Sequence, residues 1–377
     1  MKITFISNFH NHHQMPLCDA LVAIPQVDFT FIATQKVPQE RIAFGYKHEF
    51  DQLPYYREAI EPADAAAAEQ LCYDSDVVII GSAPICFVKR RLRAKKLTFS
   101  YNERWFKTGF WRHPGDVYRM LRDFTRFNNR RFYQLCASAY TAPDSRRVGA
   151  FPGRKLRWGY FPEIKEYDLS ALMEQKQPTT LLWVGRFLDW KHPEKAVEVA
   201  RRLKEDGFDF RLTMIGNGEM EEPVREMICR YGLEDRVCLT GSMSPEAVRR
   251  HMETSQVYLF TSDFTEGWGA VLNEAMNSGC AVVASHAIGS VPYLIDHGDN
   301  GFIYQNEDFE QLYGYVRRLL TDGAQAQALG AAAYHTVRQC WNGSTAARRL
   351  YDFSRAVLTG APLPRYPYGP MSFDKKR

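Results

Sequence analysis

Two glutamates stand eight positions apart in the stretch 265–276, on either side of a glycine-rich turn. We predict that this stretch follows a buried strand and opens a helix near Gly267, which separates Glu266 from Glu274 by about 12 Å along the helix axis. Backbone amides at the start of such a helix attract anions, and glycines let a ligand approach the backbone closely. The span suits a nucleotide sugar, from hexose to ribose, with its diphosphate between the two glutamates. The alternative is an ordinary surface helix with a glycine-rich start.

Two cations follow an earlier predicted strand in the same half of the chain. Arg186 and Lys191 lie in the loop after the segment 181–185. Because the carboxyl ends of strands in a doubly wound sheet converge on one crevice, these side chains can face the turn at Gly267. There they would neutralise a departing diphosphate. Taken singly, either cation is equally typical of a solvated loop.

The elements that must position these residues form two predicted domains, since 377 residues suffice for two cores. Apolar segments alternate with stretches long enough for helices, which predicts mostly parallel sheets in an α/β fold. The predicted strands are 3–7, 29–34, 77–81, 97–101 and 135–141 in the first half, and 181–185, 211–216, 237–241, 257–262, 281–285 and 301–304 in the second. We expect an acceptor-side domain over 1–170, a nucleotide-sugar-binding domain over 171–345, and a C-terminal helix and tail over 346–377 that return to the first domain.

Composition excludes several other classes of protein. Hydrophobic residues make up 45% and charged residues 24%, which predicts a globular chain, and its apolar runs are far shorter than the roughly 20 residues that cross a bilayer. The eight cysteines form no C-x-x-C pair and are expected to stay reduced. The motif at 74–76 (Asp-Ser-Asp) precedes its strand, so we reject it as a metal site, and we find no phosphate-binding loop or dinucleotide fingerprint. We expect no metal and no cofactor.

With these motifs, the second half resembles the retaining glycosyltransferases of family 4. The resemblance rests on these features: the pair Glu266 and Glu274, the loop from Gly185 and Arg186 to Lys191, Gly216 to Gly218 after the second strand, and Gly241 after the third. It implies the GT-B fold, in which two Rossmann-like doubly wound domains face each other across a cleft that holds the active site.

The resemblance also implies roles for individual residues. Arg186 and Lys191 would hold the donor diphosphate, and Glu266 would contact the transferred sugar. A further set would bind the rest of the donor: Glu274 at the ribose, Gly267, Trp268 and Gly269 through their backbone, Gly185 and Gly216 in the neighbouring loops, and Met243 beside the nucleobase.

The first half matches the family less closely. Its first predicted strand is followed by His10, His12 and His13, where family members often have two glycines. These histidines would face the acceptor, orient a phosphate or bind a metal; the alternative is that they only cap and line the loop. Glu103 follows another strand and is expected to act near the donor sugar, with a surface salt bridge to Arg104 or a neighbour as the alternative.

The segment 86–131 carries 14 Lys/Arg and 3 Asp/Glu, a charge of +11 within a chain of net charge +4. We predict a helix over 116–131 that aligns four arginines beside an apolar stripe: Arg119, Arg122, Arg126 and Arg130, next to Val117, Leu121 and Phe124. Such a helix suits an anionic membrane surface, with the aromatic residues 105, 106, 110 and 111 entering the headgroups. A nucleic-acid groove, which we consider unlikely, and a solvated basic helix are the alternatives.

Together these features predict a retaining glycosyltransferase. It would move a sugar from a UDP- or GDP-sugar to a hydroxyl of a glycan or lipid-linked acceptor in cell-surface polysaccharide synthesis. We expect a cytoplasmic protein associated with the inner face of the membrane. The alternatives are a sugar-nucleotide epimerase or hydrolase on the same fold, and a nonenzymatic binder of membrane or nucleic acid.

Overall fold

The computed structural model describes residues 1–39, 42, 50, 52–112 and 114–374, and the chain divides into two compact units. Unit 1 consists of Met1–Glu163 together with Cys340–Arg377, and unit 2 consists of Ile164–Gln339. The chain therefore enters unit 2 a few residues before position 170 and returns to unit 1 shortly before position 346. Each unit is an α/β domain with its own hydrophobic core.

Unit 1 is built on a seven-stranded parallel sheet in the order β3-β2-β1-β4-β5-β6-β7. Its strands are β1 (Lys2–Ser7), β2 (Asp28–Ala33), β3 (Tyr56–Glu58), β4 (Val77–Ile80), β5 (Thr98–Asn102), β6 (Phe132–Cys136) and β7 (Lys155–Arg157). Its helices are α1 (Met15–Val22), α2 (Pro62–Asp74), α3 (Cys86–Arg93), α4 (Pro114–Asp123), α5 (Thr141–Arg147) and, near the C-terminus, a helix over Gly343–Thr359. The sequence missed β3 and β7, since three residues are too few to form an apolar run, and it placed β6 three residues too late.

Unit 2 has a six-stranded parallel sheet in the order β10-β9-β8-β11-β12-β13. Its strands are β8 (Gln177–Val184), β9 (Arg211–Ile215), β10 (Val237–Leu239), β11 (Ser255–Phe260), β12 (Ala281–Ser285) and β13 (Phe302–Tyr304). Its helices are α6 (Leu169–Glu174), α7 (Pro193–Glu205), α8 (Glu221–Arg230), α9 (Pro245–Thr254), α10 (Val271–Asn277), α11 (Val291–Leu294), α12 (Phe309–Thr321) and α13 (Gly323–Gln339). All six predicted strands are present, and the doubly wound fold class is confirmed.

The strand order of unit 2 reverses between β8 and β11, from which the chain winds outward in opposite directions. The loops at the carboxyl ends of two such central strands leave a crevice between them, where ligands of open α/β sheets bind. The loop after β8 carries Lys191 and the loop after β11 carries Glu266. The fold thus directs both residues to the edge of the sheet where chemistry is expected.

One arginine of the basic segment belongs to the core of unit 1 rather than to its surface. Arg91 is 0% exposed, and its guanidinium donates to backbone carbonyls of Cys72, Ser75, Asp76 and Leu97 at 2.5–2.9 Å. Burial lowers the pKa of Arg91 to about 10, because the charged form loses its hydration. This side chain joins the end of α2 to the start of β5.

We expect Arg91→Met to destabilise unit 1 strongly, because it leaves several buried carbonyl oxygens without a donor. The free energy of unfolding should fall by about 3 kcal/mol or more. The matched control is Arg93→Met, which removes an exposed arginine two positions along the same helix and should change stability by less than about 0.5 kcal/mol. Thermal unfolding followed by circular dichroism measures both, and equal melting temperatures would rule out a structural role for Arg91.

Candidate active site

Three loops at the carboxyl ends of β8, β9 and β10 are hydrogen-bonded to one another in unit 2. The amide of Gly185 donates to Ile215 O at 3.0 Å, and the amide of Phe187 donates to Asn217 O at 2.8 Å. The amide of Gly216 in turn donates to Gly241 O at 2.9 Å. These contacts align the glycines that the sequence placed at the donor site.

Gly216 is required by this packing. Its φ is +135°, and a Cβ built on it would lie 1.9 Å from the carbonyl oxygen of Gly185. No side chain fits at that distance, and L-residues avoid such a backbone conformation. The loop after β8, which carries Arg186 and Lys191, can adopt its observed conformation because residue 216 has no side chain.

Lys191 and Glu266 form an ion pair between the loops after β8 and β11. The Lys191 ammonium donates to Glu266 Oε2, and the side chains are only 13% and 10% exposed. Ser262 Oγ donates to the same carboxylate oxygen at 3.0 Å. The backbone carbonyl of Lys191 accepts a hydrogen bond from Thr261 Oγ1 at 2.7 Å, so both loops are fixed by side-chain and main-chain contacts. The pair places a positive and a negative group side by side at the switch point of the sheet.

The turn after Glu266 differs from the sequence prediction. The helix begins at Val271 and not near Gly267, and α10 is seven residues long, so the axial spacing inferred for the two glutamates does not apply. Trp268 is fully buried, and its Nε1 donates to Asn273 Oδ1 at 2.8 Å. Gly269 has a φ of +76°, and a Cβ there would lie 2.6 Å from the Phe260 ring. The glycine-rich turn thus packs onto the end of β11 before the helix starts.

Glu274 lies in α10 above a buried arginine. Its side chain is half-buried, and burial raises the pKa of Glu274, while the positive charge of Arg249 acts in the opposite direction. The Arg249 guanidinium donates to Asn277 Oδ1 at 2.9 Å and to the backbone carbonyl of Glu274 at 3.3 Å. No sequence pattern singles out Arg249, because an arginine on an amphipathic helix resembles a surface residue.

The remaining predicted donor residues lie in the neighbouring loops. Arg186 is exposed, and no side chain of the described residues forms an ion pair with it. Met243 is half-buried in the loop after β10. Gly267 is buried in the turn that follows Glu266. All of these residues lie at the carboxyl end of the unit 2 sheet.

His10 is placed differently from the other two histidines of unit 1. It is 0% exposed and packs against the rings of Phe31, Phe50 and Tyr55, with centroids 4.3–6.0 Å away. Burial lowers the pKa of His10 to about 4, which keeps the ring neutral at pH 7. The expectation that His10 faces an acceptor is therefore corrected, since an imidazole enclosed by aromatic rings is a core residue.

His13 and Glu103 contact the same tyrosine. The rings of His13 and Tyr160 are stacked with centroids 5.9 Å apart, and Tyr160 OH donates to Glu103 Oε1 at 2.6 Å. The other carboxylate oxygen of Glu103 pairs with Lys107 at 3.1 Å. His12 lies beside His13, with ring centroids 3.8 Å apart. The sequence could not have singled out Tyr160, which lies 57 positions from Glu103 and joins the two loops only in the fold.

The basic segment does not form the single arginine stripe predicted for it. The helix ends at Asp123 and is followed by a short 3-10 turn over Thr125–Phe127, so Arg126 and Arg130 leave the face of Arg119 and Arg122. Its aromatic residues also turn inward: Phe106 is 1% exposed, and Trp105 stacks on Phe124 at 5.0 Å. Phe110 packs on Phe106, and the side chain of Trp111 lies outside the described residues. Among the described residues of this segment, the exposed large apolar side chains are Tyr118 and Leu121 of α4.

Comparison with known proteins is most informative for unit 2. Residues 166–336 match the model of the family described as glycosyl transferases, group 1. The chain is 31% identical over 209 residues to the amylovoran biosynthesis glycosyltransferase AmsK of Erwinia amylovora, covering 53% of this chain and 51% of that protein. It is 25% identical to a GDP-mannose-dependent phosphatidylinositol monomannoside mannosyltransferase of Mycobacterium tuberculosis, with 47% of each covered. The chain thus matches about half the length of these curated relatives.

Two solved structures share the fold over nearly the whole chain. The crystal structure of Anabaena Alr3699/HepE in complex with UDP has a TM-score of 0.71 at 16% identity, covering 96% of this chain and 100% of that one. The lipopolysaccharide outer core galactosyltransferase WaaB has a TM-score of 0.70 at 17% identity, with the same coverage. The predicted GT-B fold class is confirmed. Among the described residues no helix is both long and apolar enough to span a bilayer.

Proposed function

We propose that this protein is a glycosyltransferase that moves a sugar from a UDP- or GDP-sugar to a hydroxyl of a glycan or lipid-linked acceptor. The observation that carries the proposal is the Lys191–Glu266 pair at the switch point of a unit 2 sheet whose sequence matches the group 1 family. The printed functions of AmsK and of the mannosyltransferase support a setting in the synthesis of cell-surface polysaccharide or glycolipid.

In this proposal Lys191 and Arg186 stabilise the diphosphate that leaves when the sugar is transferred. Negative charge grows on the donor diphosphate as the sugar departs, and Lys191 and Arg186 stabilise it without a metal ion. Glu266 accepts hydrogen bonds from hydroxyls of the transferred sugar, and Glu274 accepts them from the ribose. In the protein without a donor, the Lys191 ammonium pairs with Glu266. When the donor binds, the ammonium would pair with the diphosphate instead.

We further propose that the transferred sugar retains its anomeric configuration, as in the family that the motifs of unit 2 resemble. Proton NMR of the first product formed from an α-linked donor tests this directly. An α-linked product supports retention, and a β-linked product overturns it.

The donor is tested first by thermal shift of the purified protein with UDP, GDP, ADP, CMP and their common sugar conjugates. A ligand that binds only the folded state raises the melting temperature by mass action. We expect a shift with one nucleoside diphosphate that is lost in Glu274→Ala. The absence of a shift with every nucleotide would contradict the proposal. Donor consumption without any added acceptor would favour an epimerase or hydrolase instead.

We propose that unit 1 contacts an anionic membrane through a surface on α4 formed by Tyr118 and Leu121. These side chains are 66% and 42% exposed, and Leu121 lies one helical turn after Val117, which packs on the core of unit 1. Arg119 and Arg122 lie on the same helix, and the exposed pair of Arg119 with Asp116 is weak enough to yield to a lipid phosphate. Arg122 makes two hydrogen bonds to the buried Asp123 carboxylate and is more firmly held. Such a contact would keep the enzyme at the inner face of the membrane, close to a lipid-linked acceptor.

We expect Tyr118→Ser combined with Leu121→Ser to release the protein from anionic vesicles. Losing about 2 kcal/mol of apolar burial lowers the partition coefficient roughly 30-fold. Co-sedimentation with phosphatidylglycerol vesicles, and with phosphatidylcholine vesicles for comparison, measures the bound fraction. Tyr368→Ser removes an exposed tyrosine elsewhere in unit 1 and serves as the control. Equal sedimentation of all three proteins would rule out this surface.

A further inference from the structure

We propose that His192 is a positioning residue, which in its protonated form holds the Glu266 turn against the Lys191 loop and makes sugar transfer dependent on pH. The expected effect on the rate of sugar transfer rests on the proposed function. The expected effect on the turn that carries Glu266 rests only on the geometry of unit 2.

His192 occupies a backbone conformation that a histidine adopts at a cost. It stands between the 3-10 turn Asp189–Lys191 and α7, with φ +50° and ψ +54°. This left-handed conformation disfavours most side chains by about 1–2 kcal/mol, while glycine and asparagine accept it more readily. Contacts of the His192 ring must therefore offset the cost of this backbone conformation.

The ring gains two carboxylate partners on different elements. Its Nδ1 lies 2.8 Å from Glu194 Oε1 in the first turn of α7, and its Nε2 lies 3.6 Å from Asp263 Oδ2 after β11. A carboxylate only accepts hydrogen bonds, and a neutral imidazole donates from one nitrogen alone. Only the imidazolium can donate from Nδ1 to Glu194 and at the same time direct a protonated, positively charged Nε2 at the Asp263 carboxylate 3.6 Å away.

Asp263 shapes the turn that presents Glu266. Its amide donates to Trp190 O at 3.0 Å, and its Oδ1 accepts the amide of Thr265 at 2.7 Å. Its carbonyl accepts the amide of Glu266 at 3.1 Å. Because Oδ1 is used inside the turn, Oδ2 is the atom left to face His192. The histidine thus acts on Glu266 through Asp263, and on Lys191 as its next neighbour in the chain.

The charges around His192 determine the direction of the pH dependence. The hydrogen bond to Glu194 raises the pKa of His192, with the charges of Glu194 and Asp263 acting the same way and burial and Lys195 acting against it. Glu307 faces Lys195 from the end of β13 and offsets part of that lysine's charge. The imidazolium bridge is therefore complete below the ordinary histidine pKa near 6.5 and persists above it. It is lost as pH rises through the raised pKa, and transfer should decline in the same range.

The test compares the full-length wild-type protein with His192→Asn, since asparagine tolerates the left-handed backbone but carries no charge. At pH 6.5 we expect kcat to fall about ten-fold in the variant, the order of loss that follows from misplaced reacting groups. The wild-type kcat should decline towards the variant's value as pH rises, while the variant should show no histidine-range step. Asp263→Asn, which keeps Oδ1 as an acceptor, should have the same effect, and combining the two should add little.

A second readout needs no activity. Hydrogen exchange measured by mass spectrometry at pH 6.5 should be several-fold faster over residues 261–268 in His192→Asn than in the wild type. His335→Gln, at an exposed helix position of unit 2, is the control and should change neither readout. A kcat loss equal at every pH, or unchanged exchange in this turn, overturns the inference. If the wild type neither binds nucleotide nor transfers sugar, the proposed function fails, and the exchange comparison still decides the role of His192.

Discussion

Lys191→Ala should lower kcat by about 100- to 1,000-fold while unit 2 keeps its fold, the loss expected when one preorganised electrostatic contact to the reacting groups is removed. The Lys191 side chain is 13% exposed and its ammonium pairs with the Glu266 carboxylate, so little water is present to stabilise the diphosphate once the ammonium is removed. The loss should appear in kcat more than in KM, because the charge on the diphosphate grows as the sugar bond breaks. Initial rates of nucleoside diphosphate release at varied donor concentration measure both constants.

Two matched variants separate this role from other effects of losing a lysine. Lys191→Arg keeps a positive charge but not the compact ammonium, and should recover part of the rate. Arg230→Ala removes an exposed cation at the end of α8 and should leave the rate unchanged. Circular dichroism shows whether each protein is folded. Wild-type kcat in a folded Lys191→Ala protein would remove this residue from the site.

Gly216→Ala should destabilise unit 2 and abolish nucleotide binding together. The added Cβ would meet the Gly185 carbonyl oxygen at 1.9 Å, so one of the two loops must move. A cost of about 3 kcal/mol corresponds to a fall of roughly 6–12 °C in the melting temperature of a domain of this size. One of these two loops carries Arg186 and Lys191, and the other packs against it. Thermal unfolding and a nucleotide thermal shift on the same sample measure both effects.

The control for this substitution is Gly207→Ala. Gly207 also has a positive φ, of +77°, but a Cβ built there would meet nothing within 4 Å. Gly207→Ala introduces a side chain at a positive φ without a steric clash. The free energy of unfolding should fall by about 1–2 kcal/mol, and nucleotide binding should be unchanged. If the two variants melt at the same temperature, the contact between the loops at Gly216 and Gly185 contributes nothing, and the glycine there is explained by its φ alone.

Much of the fold could be predicted because parallel strands are buried on both faces. Strands such as Val77–Ile80 and Ala281–Ser285 appear in the sequence as short apolar runs between helical stretches. The three-residue strands β3 and β7 leave no such run, and their pairing depends on the sheet edge that the other strands form. The start of α10 was also misplaced, because a buried tryptophan in the turn made residues 267–270 resemble the first turn of a helix.

The order of strands and loops along the chain predicts which residue types lie at the carboxyl ends of the strands, because residues such as Lys191 and Glu266 follow a strand within a few positions. Which of these residues contact one another depends on the order of the strands in the sheet. Lys191 and Glu266 are 75 positions apart and pair because β8 and β11 are neighbours in the sheet. His10 is withdrawn into the core by the rings around it. Contacts of this kind depend on strand order and packing, which local sequence does not encode.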